Sequence, residues 1–385
     1  MGRAAAVAIV IGALVCGVLA IARFSGDGPG GIPSGGEEEP IDAAALSGPA
    51  YSPQATVADL KQASREIADE LAAAYPDAPD AWNVTAQLQF HLGNTPEAAK
   101  LWQQCLAADP KSGGAQYGLG YIAHLEGDNA KAVERLRAAL AIDPQDQRIP
   151  LLLAESLTRL GKPEEAVPLL VEHVQSAQST LYGLVSLGQV YLDMKQYEKA
   201  RYVFEKAVED DPKNSEAQFG LATAWSRLGN AEKSRQAMTA FQGLVANRRV
   251  ESAVRVMGFD DQAKGREVAV LIHSEAAKAY LAHGNVAKAE EALRKTAAMD
   301  PKNVPCRIEL AAIYERTNRS RAALGVCEQL RDLEPQRADH WLNVAVLYAR
   351  LSRRDAALAA IDTAIGLEPG NSKYREARDV IRSAP

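Results

Sequence analysis

The side chains best equipped for chemistry are six histidines and four cysteines in a chain of 385 residues. A helical metal site needs ligands one turn apart, as in H-x-x-x-H or H-E-x-x-H. None of the six histidines forms such a pair. His173 falls at a packing position and His273 at the buried start of a helix, so both are expected to be core or boundary residues. Cys16 lies in an apolar run, Cys105 and Cys327 occupy core positions, and Cys306 stands near a helix start. No C-x-x-C occurs, which removes the usual redox and zinc motifs. Cys306 and Cys327 would be the pair to bridge in an exported protein, but the helical frame does not set them face to face, and free buried thiols are expected. Neither a phosphate-cradling glycine loop nor a G-x-S-x-G elbow is present. The sequence therefore predicts no catalytic residue, no metal, no cofactor and no enzymatic activity.

What the sequence does specify is a repeated scaffold. Residues 181–214 place Leu184, Leu187 and Tyr191 on one helical face and Ala200, Phe204 and Ala207 on the next, which is the period of two amphipathic helices. Gly188 and Ala200 are small where antiparallel helices would cross, and Pro212 ends the second helix because proline has no N–H and a locked ring. Such a hairpin cannot bury both faces alone, so copies must stack. Steps of 34 residues from Pro212 reach Pro144, Pro110 and Pro76 in one direction, with Gln178 as the gap. In the other direction the register passes Ala246, fails, and resumes at Pro301, Pro335 and Pro369, which implies an insertion of about 21 residues. Eight units then begin at Pro79, Gly113, Gln147, Leu181, Ser215, Val270, Val304 and Ala338.

Two further columns support that frame. The turn inside each unit should hold a residue able to take a left-handed backbone, and it holds Gly93, Gly127, Gly161, Gly229, Gly284 and Asn318, with Lys195 and Ser352 as exceptions. The crossing position of the second helix is alanine at 98, 132, 166, 200, 289, 323 and 357, with Ser234 the departure.

Residues 79–371 resemble the tetratricopeptide repeat (TPR) family. The resemblance implies an all-α fold: a right-handed superhelical solenoid of about eight helix-turn-helix units, with a concave face for a peptide or protein partner. It departs from the family in the third and fifth units, where Gln178 and Ala246 replace the closing proline and Phe241 fills a position that is usually small. Those two second helices are expected to run long or to pack irregularly.

The remaining segments complete the plan. Ala4 to Ala22 is an apolar run of 19 residues between Arg3 and Arg23, just long enough at 1.5 Å per residue to cross a hydrocarbon core of about 30 Å. It predicts a single transmembrane signal anchor over 1–24 with the remainder exported to a periplasmic or extracytoplasmic space. The rival is a signal peptide cleaved near Ala22, since Ala20-Ile21-Ala22 has the small-residue pattern of a cleavage site. Residues 25–54 are rich in Gly, Pro and Ser with acidic Glu37 to Glu39, which predicts a disordered tether. Residues 55–78 read as the second helix of an incomplete leading repeat, acting as an end cap, with Thr56 and Asp59 suited to cap its start. Repeats one to five then occupy 79–248, an insertion 249–269, and repeats six to eight 270–371. The insertion reads as an overlong helix reaching about Met257, or alternatively as a flap or docking edge. Residues 372–385 form a closing helix with Tyr374, Ala377, Val380 and Ile381 on one face.

The net charge of −6 does not support a nucleic-acid footprint. The expected activity is protein binding. In the family the concave face is lined by the second, fifth, ninth and twelfth residues of each first helix. Here the candidates are Asn83, Gln87, Tyr117, Tyr121, His124, Glu155, Tyr182 and Gln189, which mix aromatic faces with neutral hydrogen-bonders. The lysine and asparagine clamp for a C-terminal carboxylate, found in some members, is missing, which disfavours chaperone tails. Ile308, Ala312, Leu342 and Val346 form an apolar stripe that either packs between repeats or docks a partner helix. The leading expectation is a membrane-tethered scaffold or adaptor in an envelope assembly or secretion complex. The alternative is a structural module that homo-oligomerises through the apolar stripe.

Overall fold

Most of the described helices are short and punctuated by residues that stop them; two, in the middle of the chain, run long. In the computed structural model, described for Ser52 and for residues 54–176, 180–255 and 260–383, these segments form eighteen helices and no strand among the described residues. They are α1 (Val57–Ala74), α2 (Pro79–His91), α3 (Thr95–Ala108), α4 (Gly113–Leu125), α5 (Asn129–Ile142), α6 (Arg148–Arg159), α7 (Pro163–Gln175), α8 (Leu181–Asp193) and α9 (Tyr197–Asp210). They continue as α10 (Ser215–Arg227), α11 (Ala231–Arg255), α12 (Asp260–Ala282), α13 (Val286–Met299), α14 (Val304–Arg316), α15 (Ser320–Leu333), α16 (Ala338–Arg350), α17 (Arg354–Leu367) and α18 (Ser372–Ser383). The apolar run 4–22, the tether up to 51 and Gln178 lie outside the described residues. Among those described, no helix is long and apolar enough to cross a membrane.

The starts and turns are chemically regular. Ser112, Asp128, Thr180, Asn214, Asn285 and Asn303 each accept a hydrogen bond from a backbone N–H three residues on, which satisfies one of the free donors at a helix start. All eight intra-hairpin turns have a left-handed residue, and the two without Gly or Asn are no exception: Lys195 has φ +60° and Ser352 φ +58°. Their hydrogen bonds explain why. Gln196 N–H reaches Tyr191 O at 2.8 Å and Arg353 N–H reaches Tyr348 O at 2.8 Å, a six-to-one closure that only a positive φ at the preceding residue permits.

The helices divide into two units, residues 75–261 and residues 262–385 together with the segment up to Ala74. In the first, α2 to α11 stack as five hairpins. Phe204 of α9 is wedged between two glycines: a Cβ on Gly188 would lie 2.7 Å from its ring, and one on Gly220 of the next hairpin 2.3 Å. Trp102 of α3 fills the same kind of slot against Gly118, its Nε1 donating to Asn83 Oδ1 at 2.9 Å. Consecutive first helices α2, α4, α6, α8 and α10 also touch one another, which places them on the inner side of the stack. The second helix of the third hairpin does not run long. It stops at Gln175, where Ser176 N–H bonds back to Glu172 O and the Ser176 hydroxyl to His173 O. That of the fifth does run long, to Arg255.

In the second unit, α12 to α17 form three hairpins closed by α18, which packs on α16 and α17 and buries Tyr374, Ala377 and Ile381. Helix α1 is part of this unit and caps the sixth hairpin. Leu60 joins Ala269 of α12 and Met299 of α13 in one buried cluster. Gln262 Nε2 donates to Ala55 O at 2.6 Å, and Arg266 donates to Met299 O at 3.0 Å and Ser52 O at 3.3 Å. The inserted residues supply this contact: they extend α12 back to Asp260, so that Gln262, Arg266 and Ala269 stand where α1 arrives.

Candidate protein-binding surface

The inner side of the first unit carries the residues expected to bind, but it does not present them equally. Asn83 is buried against Trp102, and His124 is buried with Nδ1 2.8 Å from Ser156 Oγ and Nε2 3.5 Å from Glu155 Oε1. Burial holds the His124 imidazole below its ordinary pKa, against the opposing pull of Glu155. These two side chains stitch neighbouring helices together, which withdraws them from solvent. Gln87 is half-buried. Tyr117 and Tyr121 are half-buried too, in an aromatic cluster with Phe90: Phe90 to Tyr121 is 5.3 Å between ring centroids and Tyr117 to Tyr121 is 6.1 Å. Arg148 lies 5.0 Å over the Tyr117 ring and pairs with Asp146 at 2.6 Å. Burial pushes the Tyr117 phenol up to about 12, so it stays a neutral hydrogen-bonding group.

The residues left facing water are Tyr182, Gln189 and Phe219. Tyr182 is 52 % exposed and Phe219 49 % exposed. Tyr182 Oη donates to Glu155 Oε2 at 3.3 Å, while Arg159 holds the other carboxylate oxygen at 2.7 Å. Phe219 stacks against Phe241 of α11 with ring centroids 5.2 Å apart, which accounts for a large residue at a usually small position. Phe219 belongs to the same column of first-helix positions as the named candidates. Its exposure is a packing outcome that the repeat pattern does not encode.

Half of the apolar stripe of the second unit is withdrawn from the surface. Leu342 is 1 % and Val346 2 % exposed, and every residue from Leu342 to Leu347 is buried, because α15, α17 and α18 enclose α16 on separate sides. Ile308 and Ala312 are half-buried. Cys105, Cys306 and Cys327 are buried free thiols, and burial pushes the last two up to about 12. Among the described residues, no group of three or more His, Cys, Asp or Glu side chains is arranged to hold a metal ion. A cavity of about 30 Å³ under α1, lined by Glu66, Glu70, Lys288, Glu291 and Lys295 among others, has room for little more than one water.

Comparison with known proteins agrees with this architecture. Tetratricopeptide-repeat family models match residues 59–112, 92–147 and 280–341, and the model of the Psidin N-terminal TPR repeats region matches 122–250. The hairpins within these stretches have tetratricopeptide-repeat sequence. The first match begins inside α1, so α1 has repeat-like sequence although it packs in the other unit. Similar solved structures include YrrB, described as a TPR protein with an unusual peptide-binding site, at 16 % identity, covering 49 % of this chain and 100 % of that one with a TM-score of 0.43. A MamA RS-1 ArsTM double mutant matches at 19 % identity, covering 44 % and 96 % with a TM-score of 0.42. MamA 41-end from Desulfovibrio magneticus RS-1 matches at 20 % identity, covering 44 % and 96 % with a TM-score of 0.41. No curated protein matches the sequence.

Proposed function

We propose that this chain is a non-catalytic interaction scaffold that binds an extended segment of a partner protein along the inner, first-helix side of residues 75–261. The observation that carries this reading is the pair of solvent-facing rings, Tyr182 and Phe219, on the neighbouring first helices α8 and α10 of the same inner side that holds the Phe90, Tyr117 and Tyr121 cluster. Rings held rigidly at a surface bury much apolar area on binding at small entropic cost, which is why they recur at the centres of protein interfaces. The membrane tether over 1–24 and a place in an envelope assembly or secretion complex belong to the same proposal, supported by the apolar run between Arg3 and Arg23. Self-assembly through the apolar stripe is the alternative; it is less supported, since Leu342 and Val346 are buried and only Ile308 and Ala312 are partly exposed.

The test is crosslinked affinity purification from membranes with the full chain and a Tyr182→Ala, Phe219→Ala variant. Both rings are about half exposed, so the variant should stay folded, which its melting temperature checks. The expected result is loss of a specific partner from the variant alone. Recovery of the same partners by both proteins rejects the site, and recovery of only the chain itself favours self-assembly by another surface. The anchor is checked by fractionation: the full chain should sediment with membranes, whereas a chain lacking 1–24 should not. A mature protein beginning near Arg23 would replace the anchor with a cleaved signal.

A further inference from the structure

We infer that the segment bound on this face presents an arginine or lysine beside an apolar residue, and that Tyr182, Glu216 and Phe219 receive it. This rests on the proposed binding role of the same face and adds the chemistry of the ligand.

Glu216 and Tyr182 are both the second residue of their units, one repeat apart on neighbouring helices α10 and α8, and Phe219 follows one turn after Glu216. The carboxylate is exposed and has no hydrogen-bond or ion-pair partner among the described residues. It nevertheless stands close enough to Tyr182 that its charge, like that of Glu155, helps raise the phenol pKa after the larger effect of burial. The charges nearest these rings on α6 are already matched. Glu155 is held by Arg159 at 2.7 Å, with His124 Nε2 3.5 Å from the same oxygen, and Arg148 is held by Asp146 at 2.6 Å. The unmatched charge left between the two exposed rings is therefore negative.

Rings flanking an unpaired carboxylate favour a cation on an alkyl stem. Its methylenes cover ring surface, its head meets the carboxylate, and the π-faces add attraction. The same protein shows the arrangement internally, with the Arg148 guanidinium 5.0 Å over the Tyr117 ring and the acidic partner Asp146 beside it. An acidic segment would meet the opposite: repulsion by Glu216 at the point where the rings are exposed.

The probe is a random dodecapeptide phage library panned on the full chain, with selected peptides measured by fluorescence anisotropy. Those displaced by Tyr182→Ala, Phe219→Ala define binding to this face. They should contain Arg or Lys next to an apolar or aromatic residue. Replacing that residue with norleucine should weaken binding about 5- to 10-fold, the range expected for an exposed ion pair with a cation–π contribution. Glu216→Gln, which should leave the melting temperature unchanged, should cost a similar factor, and the two changes together no more than either alone. Face-binding peptides without a basic residue, or losses that multiply in the double change, overturn this inference and leave the binding face intact. Peptides indifferent to Tyr182→Ala, Phe219→Ala overturn the binding face itself, and this inference with it.

Discussion

At Lys195 and Ser352 the chain holds a backbone that L-residues with a Cβ adopt at a cost of about 1 kcal/mol. Lys195→Gly and Ser352→Gly should each raise the urea midpoint, by up to about 1 kcal/mol of stability after the entropy of the added glycine is subtracted. Gly220→Ala should do the reverse. Its Cβ would sit 2.3 Å from the Phe204 ring, and shifting that ring also disturbs Gly188, so a loss of about 1 to 3 kcal/mol is expected. His273 gives a pH signature. It is fully buried, its Nδ1 2.8 Å from Ala269 O, and burial pushes its pKa down to about 4. Above pH 6.5 it is neutral folded or unfolded and contributes nothing to the pH dependence. As pH falls from 6.5 toward 4 the unfolded chain takes the proton first, so stability declines through that window, by on the order of 3 kcal/mol at pH 4. Urea titrations of wild type and His273→Leu across that range should show a flatter curve for the variant. The turn residues were legible because period places them even where the residue type is wrong for the job. The burial of Asn83 and His124 was not legible, because a column position cannot say whether a polar side chain finds a partner on the next helix.

Among the helices, α1 shows where a repeat pattern stops being sufficient. Its apolar spacing and its register with Pro76 identify a second-helix element, and Thr56 and Asp59 do cap its start, with Thr56 N–H donating to Asp59 Oδ2 at 2.8 Å and Asp59 N–H to Thr56 Oγ at 3.2 Å. Any exposed first helix of the solenoid would satisfy that pattern. The choice of α12 comes from side chains that fall outside the repeat altogether: Gln262 and Arg266 reach backbone carbonyls at Ala55 and Ser52 that no periodic position would serve. The ion pairs along the contact, Lys288 to Glu70 at 3.0 Å and to Glu291 at 3.3 Å, are solvent-accessible and contribute little. Apolar burial at Leu60 should dominate. Leu60→Ala is expected to cost about 2 to 5 kcal/mol, with Lys288→Ala within about 1 kcal/mol of wild type, both read from urea unfolding followed by a probe in α12. A loss at Lys288 as large as that at Leu60 would mean that charge holds the helix.

For the molecule as a whole, the two units make different demands on the termini. Removing residues 1–74 takes away the cap of the sixth hairpin and uncovers Ala269 and Met299, so the amides of α12 and α13 should lose hydrogen-exchange protection. The amides of α4 to α9 should be unaffected, since their core is built from residues between Ala86 and Ala224. Equal loss in both units would show that α1 supports the whole chain. The family and the helical class could be read from the sequence because stacked repeats are nearly one-dimensional, each unit depending on its neighbours. The grouping of α1 with α12 and α13 could not, since it hangs on a contact between residues that the repeat never brings into register.

That contact has a consequence during synthesis. The hydrogen bond from Gln262 to Ala55 joins residues 207 positions apart. At ribosomal rates of roughly 5 to 20 residues per second, α1 leaves the exit tunnel about 10 to 40 s before its site on α12 has been made. For that interval its apolar stripe of Leu60, Ile67 and Leu71 has nowhere of its own to go, while the hairpins from Pro79 onward can close in order as they emerge. A helix translated ahead of the hairpins is thus among the last to find its place, and a nascent chain of this protein offers chaperones one long-lived amphipathic handle ahead of an otherwise sequentially folding array.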